Sequence, residues 1–233
     1  MFNTETVSFL RTINKITNSV ILNYPITTGK TESADIAYMF DLSKFDTDGF
    51  DNPIGFYNLS NFLNVFNLFE NDREVSIDGN VVSVKDDNTS INYLTTATDV
   101  LSQFEFKKEQ FDKNDMFPTV LEMELTSGDI AKLKNAHSVF SELDTALITA
   151  NEEVVLSLTQ IGNFKMSSNS FKFVKDEAKS EKNFSIGITM DILSKIPQIN
   201  YNLKVKYNEQ RNAYRIVLST DTFSLVFSGK NVE

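Results

Sequence analysis

Polar and apolar positions along this chain follow two periods, and the switch from one to the other occurs twice. From Ile54 a short apolar run leads into Leu59, Phe62, Leu63, Phe66 and Phe69, spaced three and four apart, and then into alternating stretches at Glu74–Ile77, Val81–Lys85 and Ser90–Leu94. Spacings of three and four put side chains on one face of a helix, whereas strict alternation marks a strand buried on one side. The pattern predicts a strand, a helix over Asn58–Phe69, and a three-stranded meander turning at Asp78-Gly79-Asn80 and Asp86-Asp87-Asn88. The same order returns later. Ile186-Gly187-Ile188 echoes Ile54-Gly55-Phe56, a shorter helix over Met190–Ile196 is stopped by Pro197, and strands at Tyr201–Tyr207, Ala213–Ser219 and Phe223–Phe227 follow.

A longer amphipathic helix precedes each copy. Over Thr4–Asn18, with Asn3 or Thr4 as cap, Phe9, Leu10, Ile13 and Ile16 share one face, while Arg11, Asn14, Lys15 and Asn18 occupy the other. Over Ser127–Glu142, Ile130, Leu133, Ala136, His137 and Phe140 face inward, Lys132 and Asn135 point away, and Asp129 sits where the helix dipole favours an anion. Further strands are predicted at Val20–Tyr24 and Ala34–Phe40, joined by a polar turn at Thr28-Gly29-Lys30. Others fall at Pro118–Leu125, Ala146–Ala150, Val154–Thr159, Ser170–Val174 and Phe184–Thr189. The chain therefore reads as an α+β unit of two helices on antiparallel sheets, written twice: residues 1–105, a connector at 106–117, and residues 118–233. Phe residues in the connector suggest that it lies against the protein.

Composition narrows the function. The 233 residues carry 41% hydrophobic side chains, with 20 Phe and no Trp, which suits two modest Phe-rich cores. No cysteine is present, and no stretch reads as a signal peptide or membrane span, so a soluble protein of a reducing cytoplasm is expected. A formal net charge of −10 repels nucleic acid at long range, so any DNA contact must be local. The outward faces of the helices stand against that background: Arg11 and Lys15, Lys132, and Lys195 on three, and Ser60, Asn61, Asn64 and Asn67 on the other.

Catalytic motifs are missing. The single His137 is read as structural, the eight glycines form neither a dinucleotide nor a phosphate loop, and no cofactor or metal site can be assembled. Asp46, Asp48 and Asp51 around Gly49 fit a calcium loop poorly and read as a surface turn. A non-enzymatic protein is expected. A carboxylate-pair enzyme and a β-rich structural subunit of a phage virion or tail are the other readings.

The order of elements resembles the sliding clamps, the ring-shaped processivity factors of DNA polymerases, and among them the trimeric clamps of tailed bacteriophages with myovirus-type replisomes. The stretches that carry the likeness are Thr6–Asn23, Phe56–Asn71 with Ile77–Val84, and Ser127–Thr149. The resemblance implies a homotrimer of two-domain subunits around duplex DNA, tethering a DNA polymerase and opened by a clamp loader. It places Arg11, Asn14, Lys15, Asn61, Asn64, Lys132, Asn135 and Lys195 toward DNA. By the same analogy subunits join along edge strands bearing Ile91 and Tyr93 on one side and Phe171 and Phe173 on the other. Phe104, Phe106, Phe111 and Phe117 become candidates for a pocket that takes partner peptides.

Overall fold

Helical stripes and strand alternation are realised in the computed structural model, which describes residues 3–45, 52–69, 73–160 and 169–232. The acidic loop at Asp46, Asp48, Gly49 and Asp51 lies outside the described residues. The chain divides into two compact units, Met1–Lys108 and Glu109–Glu233.

In the first unit, α1 (Thr4–Ile16) begins at Asn3, whose side chain accepts the Thr6 N–H at 2.8 Å. Its stripe of Val7, Phe9, Leu10, Ile13 and Ile16 is buried, each large side chain contributing about 1.5–3 kcal/mol relative to exposure. Strands β1 (Val20–Leu22), β2 (Ile26–Lys30), β3 (Ile36–Asp41) and β4 (Ile54–Phe56) follow, β1 pairing antiparallel with β4 and β2 with β3. Next come α2 (Leu59–Phe66), β5 (Glu74–Asp78), β6 (Val81–Lys85) and β7 (Ser90–Leu94), the last three forming an antiparallel meander.

One sequence expectation fails here. Thr28, Gly29 and Lys30 are not a turn but the second half of β2, opposite Met39, Tyr38 and Ala37. The chain reverses at Thr31–Asp35, where the Thr31 and Ser33 hydroxyls both donate to Asp35 and Ala34 takes a left-handed backbone, φ 55°. Gly29 serves packing in the strand: a Cβ there would run into the Tyr38 ring.

A 3-10 turn over Thr98–Phe104 precedes the stretch read as a connector, which holds the helix α3 (Lys108–Asp115). The second unit continues with β8 (Thr119–Leu125), α4 (Ser127–Val139), β9 (Thr145–Ala150), β10 (Val154–Thr159), β11 (Phe171–Val174), β12 (Lys179–Ser180) and β13 (Phe184–Thr189). It closes with α5 (Met190–Lys195), β14 (Tyr201–Asn208), β15 (Ala213–Ser219) and β16 (Phe223–Asn231). These nine strands pair in the order β11-β10-β9-β13-β16-β15-β14-β8-β12. The two units share a signature: β4 leads into α2 and a meander, and β13 leads into α5 and a meander. Helix α4 opens with a reciprocal cap, in which Thr126 accepts the Asp129 N–H and the Asp129 carboxylate accepts the Thr126 N–H.

Candidate functional site

Each unit holds a pair of neighbouring helices whose outward sides carry the predicted site residues. In the first unit the pair is positioned from the end of α1. Glu32 accepts the N–H groups of Asn18 and Ser19 at 3.0 and 2.6 Å, and Asn18 in turn receives α2: its carbonyl accepts the Leu59 N–H and its side chain the Ser60 N–H. Asn18, expected on the outward face, is instead a half-buried bracket that starts the second helix.

Along the seam between α1 and α2, the Arg11 guanidinium donates to Asn67 Oδ1 at 2.8 Å and the Asn14 amide to Ser60 Oγ at 3.1 Å. Asn14 is half-buried and its Oδ1 has no hydrogen-bond partner among the described residues. Lys15, Asn61 and Asn64 are exposed. The polar face of α2 is thus partly a bracing surface for the cation and amide of α1.

Sequence reasoning missed Arg73. This residue precedes β5, outside any periodic stretch, yet its guanidinium lies 4.8 Å from the centre of the Phe66 ring on α2. Burial, and then the positive charge of Arg11, pull its pKa below the ordinary arginine value. Its Nε is buried without a hydrogen-bond partner among the described residues. Two guanidinium groups are therefore held within electrostatic reach of one another beside a helix that has no cation of its own.

In the second unit α4 braces α5 differently. Lys134 Nζ donates to the carbonyls of Ile196 at 2.8 Å and Ser194 at 3.3 Å, covering the C-terminal end of the short helix. Lys132 and Asn135 are exposed, with Lys132 Nζ 5.0 Å above the Phe173 ring, while Lys195 is half-buried. The N-terminus of α4 is anchored by an ion pair, Lys175 Nζ to Asp129 Oδ2 at 2.7 Å. Burial works to raise the Asp129 pKa, but the hydrogen bonds from Lys175 and the Thr126 N–H outweigh it, and the carboxyl ends below its usual value of 3.8. His137 Nδ1 lies 2.9 Å from the Leu143 carbonyl, across the turn that ends α4.

Across α1, α2, α4 and α5, the exposed acids among the described residues are Glu5 and Asp191, each in a first turn where the dipole favours an anion. Elsewhere these faces offer cations and amides, which suit phosphate oxygens and carry no means of reading bases.

The proposed edge strands end their sheets: β7 closes the three-stranded meander and β11 the nine-stranded path. Tyr93 faces inward, its ring 5.1 Å from Phe62 and its hydroxyl donating to the Asn58 carbonyl, and burial raises its pKa. Ile91 is half-buried beside it, whereas Leu94 is 68% exposed at the strand end. On β11, Phe171 and Phe173 are half-buried and 5.8 Å apart. The four candidate pocket phenylalanines separate. Phe106 lines a cavity of about 250 Å³ in the first unit with Ile21, Ile26 and Thr98, and Phe117 lines one of about 310 Å³ in the second. Phe104 is half-buried and Phe111 is 3% exposed. No described helix is long and apolar enough to cross a membrane.

No family known from sequence matches this chain, and no curated protein matches it. Solved structures do. A PCNA from Thermococcus kodakaraensis aligns over 97% of this chain and 96% of its own, at 15% identity and a TM-score of 0.65. A PCNA from A. fulgidus bound to the C-terminal region of FEN-1 aligns over 97% and 95%, at 9% identity and TM-score 0.65. A Helicobacter pylori beta clamp bound to a DNA ligase peptide aligns over 99% of this chain and 65% of its own, at 12% identity and TM-score 0.61. The fold is that of the sliding clamps, two helix-backed units in α+β arrangement.

Proposed function

We propose that this protein is a DNA sliding clamp: copies of the chain close into a ring around duplex DNA and tether the replicative DNA polymerase. The observation that carries the reading is the make-up of the helix faces. In a chain with net charge −10, the outward sides of α1, α2 and α4 expose Arg11, Lys15, Asn61, Asn64, Lys132 and Asn135, and across these helices and α5 the exposed acids among the described residues fall in two first turns. Arg73, laid on Phe66, adds a second guanidinium within electrostatic reach of Arg11, which Asn67 braces. The near full-length likeness to PCNA chains supports the reading at the level of fold.

The physics suits the task. A clamp must stay on DNA without gripping it, and a few cations per subunit avoid the many phosphate contacts that make binding strong and salt-sensitive. Retention then comes from ring closure. The acidic charge elsewhere discourages DNA from adhering outside the ring. The subunits form a homotrimer through backbone pairing of β7 on one copy with β11 on the next, which also covers two exposed edges. Residues 1–105 and 118–233 are its domains and 106–117 the connector, beside which partner peptides dock against the phenylalanines. The resemblance of its element order to the myovirus-type phage clamps supports a role beside a clamp loader in the cytoplasm of an infected bacterium.

The test is topological retention. Protein loaded on nicked circular DNA should survive a high-salt wash and be lost when the circle is linearised. Salt-labile retention on circles, or a large DNA-free assembly with no gain in polymerase processivity, would overturn the reading and favour a structural subunit.

A further inference from the structure

Among the described strands, β11 is hydrogen-bonded to β10 alone and ends its sheet. Its register places Phe173 opposite Leu156 and Phe171 opposite Leu158, so these four apolar side chains share one side of the sheet. The leucines are buried where α4 lies against β10, whereas the phenylalanines are only half-buried. The apolar side of the sheet therefore runs one strand beyond its helix cover.

Two contacts tie this overhang to α4. Lys175, the residue after the strand, pairs with Asp129 in the first turn of the helix at 2.7 Å, and the Lys132 ammonium stands 5.0 Å from the centre of the Phe173 ring. The ion pair is closed, the Asp129 side chain being 8% exposed. Lys132 is open: it is exposed on the same stripe of α4 as Asn135, and among the described residues no carboxylate pairs with it. An ammonium over an exposed ring gains little, because water competes for it. A phosphate oxygen offers it a charge-assisted hydrogen bond, the stronger of the two, and the flexible lysine stem lets the head swing from one to the other. A second copy of the chain arriving on Phe173 meets the reverse problem. It must displace the ammonium or bury it, and burying an unpaired charge is unfavourable.

We propose that Lys132 is a shared cation that links assembly to DNA: it caps Phe173 on the lone chain and leaves the ring for a phosphate when DNA is present, which opens the β11 edge to the next copy. Lysines guard exposed sheet edges against unwanted pairing; here the guard is withdrawn by the ligand. The linkage runs both ways, so DNA strengthens the association of copies and association frees a cation for DNA. The DNA half rests on the clamp reading, whereas the cap needs no DNA.

Sedimentation equilibrium of the full-length protein, with and without a short DNA duplex, tests both halves. Without DNA, Lys132→Ala should tighten self-association about threefold per interface, the scale of an exposed cation–π contact. Lys15→Ala, which removes an exposed cation of α1, should leave it unchanged. In a Phe173→Leu background, which keeps apolar bulk and removes the ring, Lys132→Ala should have no effect on association. With the duplex present, the strengthening of association by DNA should fall about threefold further in Lys132→Ala than in Lys15→Ala, by reciprocity of the linkage. Both lysines occupy exposed helical positions, so circular dichroism should be unchanged. Unchanged or weaker DNA-free association of Lys132→Ala, the same tightening in the Phe173→Leu background, or equal losses of the DNA effect in the two lysine variants would overturn the proposal. Retention of the wild type on nicked circles separates the two ideas: its absence removes the clamp reading and the DNA half with it, while the DNA-free measurements still decide the cap.

Discussion

In the first unit α1 and α2 are joined side chain to side chain, Arg11 to Asn67 and Asn14 to Ser60, whereas in the second α4 reaches the end of α5 through the Lys134 ammonium and two backbone carbonyls. The difference decides which cations are left for a ligand. The Asn67 bond takes one N–H of a guanidinium that has five, so Arg11 is both aimed and available. Lys134 is spent on the last carbonyls of a six-residue helix, and its neighbour Lys132 is the cation left on display. Two lysines separated by one residue thus hold different jobs, set by what lies within reach of each.

The contrast can be broken most severely at the foundation of the second pair. Asp129→Ala removes the cap of α4 and strands Lys175, whose side chain is 20% exposed. We expect a loss of about 3 kcal/mol, read as a fall in Tm, with part recovered in the Asp129→Ala, Lys175→Met double variant. The same pair gives a pH dependence. The folded-state pKa of Asp129 lies below the unfolded one, so its contribution is fully present above the ordinary value of 3.8 and is lost as pH falls through the lower folded value. Stability of the wild type should therefore drop more steeply than that of Asp129→Asn in the range below about pH 4; parallel acid curves would contradict it.

Lys134→Ala should cost about 1–2 kcal/mol by uncovering the end of α5. It should leave the salt dependence of DNA binding unchanged, and a reduced salt slope would mean that Lys134 is a displayed cation after all. A double-mutant cycle of Asn14→Ala and Ser60→Ala should give a coupling of about 0.5–1 kcal/mol, the net worth of one neutral hydrogen bond. Zero coupling would show that the seam is held by the apolar stripes alone. The smallest effect on stability belongs to the exposed Arg11: Arg11→Gln should change it by less than about 0.5 kcal/mol, yet lower the salt slope of DNA binding by about one per subunit. Arg73→Gln should lower the slope likewise if the two guanidinium groups act on phosphate together.

Much of the architecture was legible in local pattern. The stripe Leu59, Phe62, Leu63, Phe66 and the turns around Gly79 and Asn88 each announce an element through spacing or turn chemistry, and the structure places those elements where they read. The strand over Thr28–Lys30 was misread for a physical reason. Gly and Thr beside Lys imitate a turn, and only the Tyr38 ring lying across Gly29 explains the glycine. Arg73 was invisible because its partner ring, Phe66, belongs to a different element and no periodicity links them.

What this sequence determines by itself is the set of surfaces that must be buried: periodic stripes of Phe, Leu and Ile can be satisfied only by helices on sheets, and their repetition dictates two such units. Which polar residues are then braces and which are free to meet a ligand is decided by tertiary structure alone. Asn18 became a bracket, Lys134 a helix cap and Arg73 half of a cation pair because carbonyls, amides and rings from distant segments came within hydrogen-bond or stacking reach. Burial acts on every member of a pattern at once and is therefore written in the pattern; polar contacts act over about 3 Å between particular atoms and have no period to betray them.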